Sequence, residues 1–152
     1  MRITATEEYG LRCLVALARH FGQEPLRIPE IATAEGLSVP LVSKVMGVLK
    51  DSEFVVSVRG RSGGYSLTRS PDRISLSDVL AVLGGSMLEI DYCDRHGGVA
   101  DQCVHVSDCS IRTLWEGVES LVDRYLAQFT LIDLLDSQRM GEKRSQDEVM
   151  RL

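Results

Sequence analysis

Ile28-Pro29-Glu30-Ile31-Ala32-Thr33-Ala34-Glu35-Gly36-Leu37-Ser38-Val39-Pro40-Leu41-Val42-Ser43-Lys44-Val45-Met46-Gly47-Val48-Leu49 divides into two short helices about a tight turn. Pro29 and Glu30 suit the first turn of a helix over 28–36, where a missing N–H costs nothing and an acid meets the helix dipole. Gly36-Leu37-Ser38 is the turn. Ser38 is expected to cap the next helix, which tolerates Pro40 in its first turn and carries Leu41, Val45, Val48 and Leu49 on its apolar face.

On the N-terminal side, Thr4-Ala5-Thr6-Glu7 has the form of a capping box and opens a helix to Phe21. Leu11, Leu14, Val15 and Ala18 recur at helical spacing along it, and Gly22 ends it. On the C-terminal side the period changes. Phe54–Val58 reads as a strand, Arg59-Gly60-Arg61-Ser62-Gly63-Gly64 as a glycine-dependent loop and Tyr65–Leu67 as the returning strand of a hairpin. Pro71 breaks the chain, Ser75-Leu76-Ser77-Asp78 starts a helix through Leu83, and Gly84-Gly85 stops it.

Residues 86–108 are irregular and acidic. From Cys109 to Phe129 a long helix carries Ile111, Leu114, Trp115, Val118, Leu121, Val122, Tyr125, Leu126 and Phe129 as one apolar stripe. A small domain has little with which to cover such a stripe, so Leu114, Trp115, Val118, Leu121, Val122 and Tyr125 are the expected seam of a homodimer. Thr130–Asp133 caps one more short helix, and residues 137–152 are expected to form a disordered tail. The fold class is therefore mainly α with a small β-hairpin wing: a winged helix-turn-helix over 1–85, a cysteine-bearing loop over 86–108, and a dimerisation helix with a short terminal helix over 109–136.

Composition sets the outer bounds. In 152 residues, 44% are hydrophobic and 26% charged, as in an ordinary globular domain. No apolar run reaches the ~18 residues of a membrane span. The opening residues lack the apolar segment of a secretory signal, so a cytoplasmic location is expected. The net charge of −5 conceals a split. Residues 1–70 hold nine Lys/Arg against seven Asp/Glu, and residues 71–152 hold eight against fifteen. The first part alone has a charge balance suited to nucleic acid. An enzyme is not expected: no Ser/His/Asp order, paired catalytic carboxylates or cofactor fingerprint is present, and His20, His96 and His105 are scattered.

A helix pair alone can be a structural hairpin, and a Gly-rich loop with two arginines can be merely solvated. Their order points to double-stranded DNA. Ser38, Val39, Pro40, Ser43 and Lys44 lie near the N-terminal end of the second helix of the pair, where small side chains reach base edges and a lysine meets phosphate. Arg59, Gly60, Arg61, Gly63, Gly64 and Tyr65 form a cationic hairpin tip suited to the minor groove or the backbone. The sequence at the tip is not a nucleotide-binding P-loop, because no Lys-Ser/Thr follows its last glycine.

Val58-Arg59-Gly60-Arg61-Ser62-Gly63-Gly64-Tyr65-Ser66-Leu67 resembles the wing of the iron–sulfur regulator family that contains IscR, NsrR and RirA, the Rrf family of winged-helix transcription regulators. Met1–Thr4, Ile28–Ala32, Ile74–Leu80 and Thr130–Leu135 are similar to that family too, in order and spacing over residues 1–136. The resemblance implies a homodimer joined by a long helix and a repressor or regulator that binds a partly palindromic operator.

Cys93, Cys103 and Cys109 give a C-x9-C-x5-C spacing, which lacks the close pair of a zinc knuckle and by itself leaves metal binding and free thiols both open. The resemblance implies that these three cysteines hold an iron–sulfur cluster, 2Fe-2S or 4Fe-4S. The C-x5-C step is similar to the family's, whereas the first interval is longer. Where one branch of the family has a histidine ligand three residues after its last cysteine, this chain has Arg112, which cannot ligate. Another branch uses an acid near the N-terminus, and Glu8 falls there; His105 and His96 are rivals for the same role. Cys13, mid-helix, is read as a small buried apolar residue. Two other readings stay open: a cluster-free thiol or nitric-oxide sensor of the same fold, and an interaction domain in which the three cysteines and a histidine hold structural zinc.

Overall fold

Helix α1 (Ala5–Arg19) is the hub of the structure, a computed structural model that describes residues 3–60, 62–84, 103–105 and 107–136. Its entry is fixed by the expected capping box: Thr4 N–H donates to Glu7 Oε2 at 2.6 Å and Glu7 N–H to Thr4 Oγ1 at 3.2 Å. Cys13, Leu14, Ala16, Leu17 and Ala18 are buried along one side. Around α1 pack α2 (Ile28–Glu35), α3 (Val39–Asp51), α4 (Leu76–Gly84), a hairpin and a terminal 3-10 turn at Leu131–Leu135. Each fully buried aliphatic side chain in this core contributes about 1.5–3 kcal/mol.

Helices α2 and α3 meet at 113°. Three residues join them, and Gly36 takes the left-handed conformation at φ 63°. Leu37 N–H then reaches Ala32 O at 2.9 Å, closing α2 with satisfied carbonyls. A near-right-angled pair with a short glycine turn is the helix-turn-helix geometry. The core face of α3 is Val42, Val45, Met46 and Leu49. Leu41 and Val48, expected on that face, are only half-buried, so the helix is rotated relative to the sequence reading.

Strands β1 (Val55–Val58) and β2 (Gly64–Leu67) pair antiparallel, with Val55 opposite Leu67 and Val58 opposite Gly64. Leu26 adds a third rung that the sequence did not suggest: Leu26 and Tyr65 exchange backbone hydrogen bonds at 3.0 and 2.7 Å. The hairpin is thereby tied to the segment that enters α2.

Helix α5 spans Ser110–Leu126. The chain then returns to the core: Leu76 N–H bonds Phe129 O at 3.0 Å, and Leu131 N–H bonds Ile74 O at 2.8 Å. Phe129, expected on the long helical stripe, lies beyond the helix and is buried. Tyr125 packs against it with ring centroids 5.0 Å apart. The last described element is a short 3-10 helix, Leu131–Leu135, capped as expected by Thr130 and Asp133. Among the described residues no single helix is long and apolar enough to cross a membrane.

Candidate nucleic-acid interface and cysteine site

Ser38, Val39, Pro40, Ser43 and Lys44 are all exposed, on the side of α3 turned away from the core. Ser38 occupies the N-cap position as expected, but its hydroxyl makes no capping bond. Part of the cause is local: Pro40, at the second helical position, has no N–H to donate. The first two turns carry no acid, and Lys44 leaves them net positive.

At the wing, Arg59 and Gly60 are exposed and Gly63, Gly64 and Tyr65 are half-buried; Arg61 lies outside the described residues. Gly63 N–H closes the tip onto Gly60 O at 3.0 Å. A Cβ at Gly64 would stand 2.6 Å from Leu26 O, so the third rung requires glycine there. This ties the base of the wing to the segment that enters α2. Arg59 at the tip and Lys44 on α3 are exposed cations of the kind that can meet a duplex's phosphates.

Of the three cysteines expected to hold a cluster, Cys103 and Cys109 are described, and Cys93 and His96 lie outside the described residues. Cys109 is the N-cap of α5, and Arg112 N–H donates to its Sγ at 3.4 Å. Cys103 is half-buried and His105 exposed. Among the described residues no three His, Cys, Asp or Glu come together. Glu8 is exposed in the first turn of α1. That turn adjoins the end of α4, where the Glu7 carboxyl occupies the space a Cβ on Gly84 would need. Cys13 is fully buried, and its thiol is pushed up to about 11 by burial and then by the Glu35 carboxylate, against the opposing Arg12 charge. This agrees with an inert core residue.

Helix α5 buries none of its residues. Leu114 is 61%, Trp115 40% and Leu121 57% exposed, while Val118, Val122 and Tyr125 are half-buried.

The model of the family described as "Rrf2: Iron-dependent Transcriptional regulator" matches residues 3–137. The protein Rrf2 of Nitratidesulfovibrio vulgaris is 31% identical over 135 residues, covering 89% of this chain and 87% of the relative. Among solved structures, T. potens IscR shares 32% identity with a TM-score of 0.69, covering 89% of this chain and 86% of that one. CymR, the global cysteine regulator of B. subtilis, shares 29% identity with the same TM-score, over 88% and 95% of the two chains. These regulators are not enzymes, and the fold they share with this chain is the winged helix. The chain belongs to the Rrf2 family of winged-helix, DNA-binding transcriptional regulators.

Proposed function

We propose that the protein is a cytoplasmic homodimer that binds a partly palindromic operator and whose affinity is set by an iron–sulfur cluster. In this reading residues 1–85 contact DNA, 86–108 form the cluster loop, 109–136 form the dimer seam and 137–152 are a tail. Ser38, Val39, Pro40, Ser43 and Lys44 meet the major groove, and Arg59, Gly60, Arg61, Gly63, Gly64 and Tyr65 meet the adjacent backbone or minor groove. The observation that carries the DNA contact is the 113° helix pair with its exposed, acid-free N-terminal turns on α3.

Cys93, Cys103, Cys109 and Glu8 of the partner subunit would hold the cluster. Its support is the place of Cys109: a sulfur at the N-cap of α5, with a backbone N–H donated to it. Thiolates suit cluster iron, and N–H···S bonds tune a cluster's potential. The bound cluster would supply a reversible, damage-sensitive link between segments. Cys109, at the N-cap of α5, would anchor one end of that link, with Cys103 six residues before it, and Glu8 would anchor the other to α1, the helix against which α2 and α3 pack. Only a group that binds the two arrangements unequally can shift them. The signal read through the cluster would be iron or cluster supply, or oxidative or nitrosative stress.

Anaerobic purification, with visible absorption and assays for iron, acid-labile sulfide and zinc on one sample, tests this reading. Brown protein with iron and sulfide, lost in Cys103→Ala without loss of helical circular dichroism, is expected. Colourless, metal-free protein whose DNA binding follows oxidant and reductant would replace it with direct thiol sensing, a reading favoured by the accessibility of Cys103 and Cys109 and by the likeness to CymR. Stoichiometric zinc, with unfolding by chelator, would replace it with a structural site.

A further inference from the structure

Helix α3 places its apolar residues with one exception. Val42, Val45, Met46 and Leu49 are buried, and Leu41 and Val48 are half-buried. Val39 is 47% exposed, at the first helical position, between the exposed Ser38 and Pro40. A lone surface valine is ordinary in general. This one stands at the N-terminus of the second helix of a helix-turn-helix, the part of the motif that faces base edges.

The chemistry of the neighbouring side chains narrows what that end can read. No carboxylate is present to accept from cytosine and no asparagine or glutamine to form a two-pronged bond to adenine; Lys44, five residues beyond Val39, is the one side chain there that can bond guanine. Ser38 and Ser43 offer hydroxyls that pair with any base. Pro40 removes one N–H from the first turn, which weakens capture of a phosphate at that end. The first helical position itself presents an exposed isopropyl group. The thymine 5-methyl is the one apolar feature displayed on the base edges of the major groove.

We infer that Val39 is a specificity-determining residue that packs on the 5-methyl group of a thymine in each operator half-site. The inference rests on the proposed placement of α3 in the major groove. Removing one methyl from such a contact weakens binding by about fourfold for each thymine touched.

The test uses the full-length protein, purified anaerobically, and the operator it enriches from a randomised duplex pool. Each thymine of the half-site is replaced in turn by deoxyuridine, which lacks only the methyl, and affinity is measured for the wild type, Val39→Ser and Val39→Ile. The expected result is a loss of about fourfold at one thymine position for the wild type and Val39→Ile, and none for Val39→Ser. Equal wild-type affinity for thymine and deoxyuridine at every position, or an enriched half-site without thymine, overturns the role of Val39 and leaves operator binding standing. Discrimination that persists in Val39→Ser assigns the methyl to another residue and also overturns it. If no sequence is enriched at all, the placement of α3 in the groove falls, and the inference with it.

Discussion

Arg12 on α1 grips the last residue of α2 twice: its Nε lies 3.2 Å from Glu35 Oε2, and its Nη2 donates to the Glu35 main-chain carbonyl. The second contact satisfies a carbonyl that the helix end would leave open. It also fixes α2 just before the turn that sets its angle to α3. Glu35 is the more buried partner, with 12% of its side chain exposed against 37% for Arg12. Arg12→Met therefore leaves a largely desolvated carboxylate without its cation. We expect a loss of about 1–2 kcal/mol, below the value for a fully buried pair because Arg12 is partly solvated. Arg12→Lys should recover less than half of it, since a point charge cannot serve the carboxylate and the carbonyl together. Urea unfolding midpoints check this, and a lysine variant as stable as the wild type would refute the two-pronged role.

The far ends of α2 and α3 close in the same way with different residues. Gly36 takes a positive φ after α2, and Glu53, at φ 60°, does so after α3. Phe54 N–H reaches Leu49 O at 2.9 Å and Glu53 N–H reaches Lys50 O at 3.0 Å, the paired bonds of a Schellman ending. A glutamate carries steric cost there that glycine does not. Glu53→Gly should stabilise the protein by about 0.5–1 kcal/mol, after allowing for glycine's freer unfolded chain. Gly36→Ala should destabilise it by about 1 kcal/mol, although open space surrounds its Cβ, because φ is the obstacle rather than crowding. Thermal melts of both variants test the pair, and a destabilised Glu53→Gly would show that the side chain contributes more than the strain costs.

Cys13 gives a pH signature. Its thiol sits at about 11 in the folded protein against 9.0 in the unfolded chain, raised chiefly by burial and next by Glu35. A raised folded value means that the unfolded chain gives up its proton first. The stability tied to the protonated thiol is complete below about pH 9 and is lost as the pH climbs through about 11. Wild type and Cys13→Ala, compared by denaturant unfolding between pH 7 and 11, should therefore differ by a constant below pH 9 and converge above it. A difference independent of pH up to 11 would mean that Cys13 is not held protonated by its surroundings.

What the sequence disclosed, and what it concealed, follows from which residues carry local signals. Thr4 with Glu7 and Thr130 with Asp133 announce their caps because side chain and backbone satisfy each other within three residues. Gly36 announces the turn because few other residues rest at its φ. Glu53 adopts the same backbone with no such mark in its residue type. The rung between Leu26 and Tyr65 joins residues 39 positions apart in a segment with no period, so no local pattern could reveal it. Ser38 takes the N-cap position without a hydroxyl cap, in part because the proline two positions on has no N–H to donate. At the cysteine site the thiols were visible, but their grouping depends on how the chain between α4 and α5 folds, and no spacing rule fixes that.

Arg59 supplies the last prediction. It is exposed at the start of the wing turn, beyond a strand whose partner is tied to Leu26, so its position relative to α3 is held by backbone hydrogen bonds. A phosphate contact from such a residue adds affinity by releasing counterions, and it does so whatever the base sequence. Arg59→Ala should weaken operator and unrelated duplex alike, and make the slope of log affinity against log salt shallower by about one for each arginine removed. The oligomeric state by analytical ultracentrifugation should not change, because Arg59 lies outside the exposed apolar face of α5. An unchanged salt slope would remove the wing from the contact. A loss confined to the operator would instead assign Arg59 to base reading in the minor groove, where width and A·T content would govern its effect.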